Sequence, residues 1–355
     1  QIHPSAIPGR DKLRLMSESI RGDGGRVWVY KDGKPWYFLE EWYPAYGNLV
    51  PRDIATRAIF KVCVDMKLGV DGENRVYLDI SHLDPHEIDR KLAGVVDIYE
   101  KFVGVDPRKV PMETFPAVHY SMGGLWVDYN QMTNIPGLFA CGECEYQYHG
   151  ANRLGANSLL SAIYGGMVTG PKALDYIKGL NKSCIDLPSS LYAAAQQGEV
   201  SKNEGIFNMR GKENPYKLHQ ELGEWMLENV TVVRYDDRLK ATDNKIQELM
   251  ERYKDINVGA GEKWGNQIVP FTRQLQGMLN LARVITQGAL ARNESRGAHY
   301  KPDFPNRDDE NWLKTTKADY TPNGPVLSYE PVDLAYIKPR QRRYDVAKEV
   351  TMQNV

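Results

Sequence analysis

Apolar positions change their period several times along the chain, and each change predicts an element. Residues 27–38 alternate around Asp32-Gly33, which predicts a hairpin, with Trp28, Trp36 and Trp42 as packing residues. Ile54, Ala58, Ile59 and Val62 recur at helical spacing, so a helix is expected over 51–67, opening at Pro51-Arg52-Asp53. Residues 75–80 read as a strand, followed after Pro85 by a helix to about residue 102. A short strand is expected over 125–128. The run 137–143, the polar Gly-rich loop 149–156 and the apolar stretch 159–168 read as strand, loop and helix, with Asn157 or Ser158 near the N-cap. Gly165 and Gly166 would let backbone or a ligand come close to that helix. It continues over 172–180, and the polar residues 181–205 are expected to be loop. Three amphipathic helices follow at roughly 215–230, 238–254 and 270–293. Leu239, Ile246, Leu249 and Tyr253 stripe the second; Leu275, Met278, Leu279, Ala282 and Ile285 stripe the third. These read as a bundle with no chemistry of its own. The tail carries short strand-like pieces such as 325–329.

Length and charge narrow the class. A chain of 355 residues can hold two or more domains. A net charge of −1 gives no basis for a general nucleic-acid binder. No apolar run reaches the length of a membrane span. The 4 cysteines outline no disulfide scaffold; Cys141-x-x-Cys144 has a spacing seen in redox and zinc sites, but no second pair follows it. Gln1-Ile2-His3-Pro4 has neither an initiator Met nor a signal-peptide pattern, and reads like the middle of a longer chain. No Gly-x-Gly-x-x-Gly follows a strand, so the usual dinucleotide cradle is missing.

Candidate chemistry lies in polar clusters. His3, Ser17, Glu18, Arg21 and Asp23 group near the start, and Glu18 and Arg21 are spaced to share one side of a helical turn. Arg52 sits where a helix dipole disfavours a cation, which would make sense for a residue that must release and recover a proton; taken alone, a solvated surface arginine is the simpler reading. His119 precedes Gly123-Gly124, and Arg153 lies in the Gly-rich loop, whose following helix start suits an anion or an electron-rich ring oxygen. His82 and His86 have metal-compatible spacing, but Pro85 interrupts them, so a polar strand-to-helix corner is expected. Two arginines and two histidines converging would match a small dicarboxylate: guanidinium forks fit carboxylates, and imidazole donates to a second one.

Taken in order, Ile2-His3-Pro4, Ser17-Glu18-Ser19-Ile20-Arg21-Gly22-Asp23-Gly24-Gly25, Arg52-Asp53, His119-Tyr120-Ser121-Met122-Gly123-Gly124 and His149-Gly150-Ala151-Asn152-Arg153-Leu154-Gly155-Ala156-Asn157-Ser158-Leu159-Leu160 closely resemble the flavoprotein subunit of succinate dehydrogenase and fumarate reductase. Glu294-Ser295-Arg296-Gly297-Ala298-His299 with Arg307-Asp308-Asp309 fits it too. The resemblance covers essentially the whole chain, and looks most like the bacterial type that works with a membrane-anchored diheme cytochrome b. That family often has Thr at Ser17, where the hydroxyl is kept, and Gly at Ser19.

The resemblance implies an α/β plus α architecture, the C-terminal portion of such a subunit. An α+β capping domain would cover 1–110 and the returning part of a Rossmann-type FAD-binding domain 111–172. A linker and helical domain would cover 173–300, and a small C-terminal domain 301–355. It implies Arg52 as the residue exchanging a proton with the substrate carbon, with Glu18 and Arg21 relaying to solvent. His3, Ser17, His119 and Arg153 would hold the dicarboxylate. Glu143, Asn157, Ser158 and Leu159 would be the FAD-binding positions, with no metal. Succinate oxidation would send hydride to flavin N5 and a proton to Arg52. Electrons would go to an iron–sulfur subunit and, through a membrane-anchor cytochrome b subunit, to quinone, on the cytoplasmic face of a bacterial membrane. FAD in this family is usually attached covalently through an N-terminal histidine, for which the chain offers no match. The rivals are an L-aspartate oxidase-like soluble flavoenzyme and, from another class, a non-catalytic interaction module.

Overall fold

The computed structural model describes residues 1–8, 14–17, 19–259 and 261–340. Two compact units divide the chain: Gln1–Ser121 together with the stretch from Asp333, and Met122–Val332.

In the first unit, β1 (Ile2–Ile7), β2 (Arg14–Leu15), α1 (Ser19–Gly22), β3 (Arg26–Lys31), β4 (Lys34–Trp36) and α2 (Phe38–Trp42) come first. They are followed by α3 (Arg52–Phe60), β5 (Val76–Asp79), α4 (Pro85–Lys91), α5 (Ala93–Val103) and β6 (Met112–Val118). The described strands form an antiparallel sheet ordered β2-β1-β6-β5-β3-β4. The β3–β4 turn is Asp32-Gly33 with φ of 53° and 75°, the left-handed pair that a two-residue hairpin requires. Ile54, Ala58, Ile59 and Val62 pack with Val27, Val29, Val76 and Leu78 in one core. Trp28 is buried, and Trp36 and Trp42 meet edge to face at 5.3 Å against that core. Beyond Phe60 the third helix widens into a π-turn over Lys61–Asp65. The helix expected from Pro85 breaks at Leu92 (φ −121°), which is buried; the bend lets Ile88 on one side and Val95, Val96 and Tyr99 on the other reach the same core. Asp84 caps α4 by accepting the His86 N–H at 2.8 Å, with Pro85 in the first turn, so this is a helix corner.

The second unit contains α6 (Asn157–Lys178), α7 (Ser189–Phe207), α8 (Pro215–Met226), α9 (Asp236–Tyr253), α10 (Ile268–Ala291), α11 (Asp309–Trp312) and the hairpin β7 (Lys314–Asp319) with β8 (Val326–Pro331). Leu218 and Leu222 of α8, Ile246 and Leu249 of α9, and Leu275, Leu279 and Ala282 of α10 form the core of the expected bundle. Ile285, placed on that stripe by periodicity, is instead 49% exposed.

Other expectations fail for local reasons. Residues 137–143 make no strand: Gly137 (φ 83°) and Gly142 (φ 76°) bend both ends of the run, leaving a single bridge from Phe139 to Met132. Residues 125–128 make one bridge, Leu125 to Glu145, before Asp128 turns the chain by accepting the N–H groups of Asn130 and Met132. Residues 189–207 are helix, not loop. None of α7 is buried, so there is no apolar stripe to read; its alanines and glutamines favour helix without one. Among the described residues, no helix is long and apolar enough to cross a membrane.

Candidate functional site

The sheet register builds a polar corner in the first unit. Ile2 lies opposite Val118 and His3 opposite Ala117, so the chain leaving β6 passes over the start of β1. There the His119 N–H donates to the Gln1 carbonyl at 3.0 Å. The His119 and His3 rings meet edge to face, centroids 5.3 Å apart. The register slips between His3 and Ala6, a bulge that brings both the N–H and the carbonyl of Ser5 to 3.1 Å from His3 Nδ1. When Nδ1 accepts from the Ser5 N–H, Nε2–H is left to donate elsewhere. The third helix packs on this strand, with Thr56 Oγ1 donating to the Ile2 carbonyl at 3.4 Å. Arg52, its first residue, is thereby held at the strand end, 9% exposed, with Nη1 donating to Gln1 Oε1 at 3.2 Å.

Electrostatics tie these groups together. His3 is pulled down from 6.5 to about 3, first by burial and then by the positive fields of Arg52, His119 and Arg21. It is therefore a neutral imidazole at physiological pH, beside the guanidinium groups of Arg52 and Arg21. Burial lowers Arg21 to about 10. Its Nη1 donates to the carbonyls of Asn48 (2.7 Å) and Val50 (3.0 Å), directly before Pro51-Arg52. Asn48 in turn accepts the Val27 N–H at 2.8 Å and donates to Glu40, which pairs with Arg26. So Arg21 and Asn48 fasten the approach to α3. A buried corner with two guanidinium groups and a neutral imidazole can hold a small anion and move a proton at it.

Ser17 is exposed, and its hydroxyl accepts the Ser19 N–H at 3.2 Å at the start of α1. Glu18 lies outside the described residues. Sequence reasoning missed Gln1 and Asn48; an amide carries no chemical signature, and only the Gly47-Asn48 turn pair could have drawn attention to the second.

The second unit holds the rest. Arg153 is 3% exposed. Its backbone N–H donates to Met122 Sδ at 3.0 Å, and its Nη1 to the Leu154 carbonyl at 3.2 Å. His149, lowered by burial and by Arg153, ties the loop to α6 through Ser161 Oγ at 3.1 Å. The N-cap of α6 is Ala156 in the left-handed region (φ 63°), with Asn157 already helical, so no side chain caps the helix and Ser158 lies inside it. The first N–H groups of α6 thus receive no side-chain cap bond. Ser158 is half-buried, Leu159 is 74% exposed, and Glu143 is exposed on a neighbouring 3-10 turn. Gly165 is where backbones approach: a Cβ there would lie 3.0 Å from Cys141 Cβ and Tyr148 Oη. Gly166 faces open space. Helix-start donors beside exposed apolar side chains and a carboxylate suit a ligand that is part electron-rich ring and part polyol. Cys141 and Cys144 are free thiols, Cys144 Sγ donating to the Cys141 carbonyl at 3.2 Å.

Comparison with known proteins matches residues 1–159 to the family described as "FAD binding domain" and residues 219–344 to "Fumarate reductase flavoprotein C-term". The chain is 67% identical to the succinate dehydrogenase flavoprotein subunit of Bacillus subtilis, over 98% of this chain and 60% of that protein. It is 33% identical to the fumarate reductase flavoprotein subunit of Escherichia coli, over 97% of this chain and 58% of that one. A solved structure of a mutated E. coli quinol fumarate reductase superposes with a TM-score of 0.87 at 31% identity, over 96% of this chain and 60% of the other. The Sdh1 complex of Mycobacterium smegmatis gives 0.72 at 31% identity, covering 93% and 54%. The chain thus spans about 60% of the length of the curated relatives it matches.

Proposed function

We propose that this chain, which belongs to the family of succinate dehydrogenase and fumarate reductase flavoprotein subunits, carries the dicarboxylate and proton-transfer residues of a reversible succinate–fumarate site. The observation that carries this reading is the buried corner itself: Arg52, Arg21 and His119 all bear on a neutral His3. A relative with 67% identity supports the choice of substrate.

His3, His119, Ser17 and Arg153 are proposed to hold the two carboxylates. Neutral His3 donates a hydrogen bond without the desolvation cost of a buried imidazolium. The clamp fixes the reacting carbons in one orientation and excludes water, which removes much of the entropic part of the barrier. Arg52 takes a proton from one carbon of succinate and returns it to fumarate in reverse. The helix start opposes its charge, which makes release of that proton less costly. Arg21, itself lowered to about 10, passes the proton onward, with Glu18 as the proposed exit to solvent.

FAD fits the second unit's uncapped helix start, and Glu143, Asn157, Ser158 and Leu159 would hold it there. When bound, it supplies the hydride acceptor for succinate and, reduced, the donor for fumarate. The proposed partners are an iron–sulfur subunit and, through it, a membrane-anchor cytochrome b subunit and quinone, supported by the quinol fumarate reductase relatives. The proposed setting is peripheral, on the cytoplasmic face of a bacterial membrane. Domains are proposed at 1–110 (capping), 111–172 (returning FAD segment), 173–300 (helical) and 301–355 (C-terminal).

Replacing His119 or Arg153 with Ala in the complete subunit tests the reading. Each should weaken malonate inhibition by about 2–5 kcal/mol, the cost of stranding a buried carboxylate contact. Unchanged malonate affinity in both variants would remove them from the clamp.

A further inference from the structure

The turn that follows the helical bundle touches the loop bearing Arg153. Arg296 and His299 pair across it, each backbone N–H donating to the other's carbonyl, at 2.8 and 3.0 Å. Gly297 lies inside the turn with φ 57°. A Cβ on Gly297 would sit 2.3 Å from the Ala151 carbonyl oxygen, and the Ala298 N–H donates to that same oxygen at 2.8 Å. Ala151 is two residues from Arg153. Close approach and hydrogen bond together make the turn a stop for this loop.

A buried ionic net fixes the stop. Glu294 is 0% exposed. Its Oε1 accepts from Arg292 Nη1 at 2.7 Å and Arg296 Nε at 2.8 Å; its Oε2 accepts from Arg296 Nη2 at 2.9 Å and the Asp308 N–H at 3.0 Å. Arg296 also reaches Asp309 at 2.6 Å. On the other limb, His299 is held near a pKa of about 3 by burial and Arg234. Its Nε2 donates to the Arg292 carbonyl at 3.0 Å, which leaves Nδ1 to accept from Arg234 at 2.6 Å. Such a net costs much to assemble but, once assembled, admits few alternative geometries.

We propose that the Arg296–His299 turn, locked by Glu294, is a positioning element for Arg153: it sets where the guanidinium meets a substrate carboxylate. The proposal rests on reading Arg153 as part of the dicarboxylate clamp. A misplacement of about 1 Å at a clamp costs up to roughly a hundredfold.

The test is a double-mutant cycle in the complete subunit assembled with its partners, using Gly297→Ala, Arg153→Ala and both together. Malonate dissociation constant, succinate KM and kcat are measured for each. Gly297→Ala should raise the malonate constant and succinate KM about 10–100-fold, with a smaller fall in kcat at saturation. In the Arg153→Ala background it should add nothing further, because it acts through that residue. If Arg153→Ala weakens malonate but Gly297→Ala does not, the positioning role is wrong and the clamp stands. If the two effects simply multiply, Gly297 acts elsewhere and the proposal is equally overturned. If Arg153→Ala itself changes nothing, the clamp reading fails first. Should Gly297→Ala not fold, Arg296→Lys, which keeps the cation and loses the fork, runs through the same cycle with the same outcomes.

Discussion

His3 and His299 are both pulled down from 6.5 to about 3, with burial the largest cause in each. The unfolded chain takes up a proton near pH 6.5 and the folded one does not, so their neutral forms favour folding above that pH and the benefit is lost as pH falls. At pH 5 each removes about 2 kcal/mol of stability. Thermal midpoint against pH should therefore drop below 6.5, and His299→Gln should flatten part of that drop. An unchanged slope in the variant would contradict the buried-neutral assignment. Arg21 belongs at this scale too. Arg21→Lys keeps a cation but loses the planar guanidinium whose Nη1 donates to both the Asn48 and Val50 carbonyls. It should lower kcat, less than changes at Arg52 do; no fall would take Arg21 out of the relay. Much of this was legible in the sequence as residue types: His3, Arg21, Arg52 and His119 announce themselves as titratable groups in polar clusters. Their convergence was not, because it depends on the β1–β6 register and on a bulge at Pro4-Ser5.

At the scale of elements, legibility followed burial. The helices with apolar stripes, α3 and α8 to α10, were readable because packing imposes a period. The helix α7, expected as loop, was not, since none of its residues is buried. The same fact predicts its behaviour. In hydrogen exchange, amides of 189–207 should exchange well ahead of those in α9 and α10, because little burial opposes local opening. Equal protection would mean that the helix is held by something other than its own packing. Ala156 shows another limit: a left-handed alanine has no sequence signature, so the start of α6 was placed on a side-chain cap that does not exist.

At the scale of the whole molecule, the chain order of the motifs was the strongest signal, and periodicity could not have supplied it. His3, Arg52 and His119 are far apart in sequence, and the long-range pairing of β1 with β6 gathers them in one unit. Arg153 and the uncapped helix start are gathered in the other. The central claim is that Arg52 moves the proton rather than merely binding a carboxylate. Stopped-flow reduction of the flavin by succinate in the complete Arg52→Gln subunit, run beside a malonate titration, tests it most directly. The account predicts that reduction at saturating succinate falls by orders of magnitude while the malonate dissociation constant changes far less, because the missing contact acts in the transition state. Collapse of malonate binding, with saturating succinate still reducing the flavin near the normal rate, would contradict it and make Arg52 a binding residue.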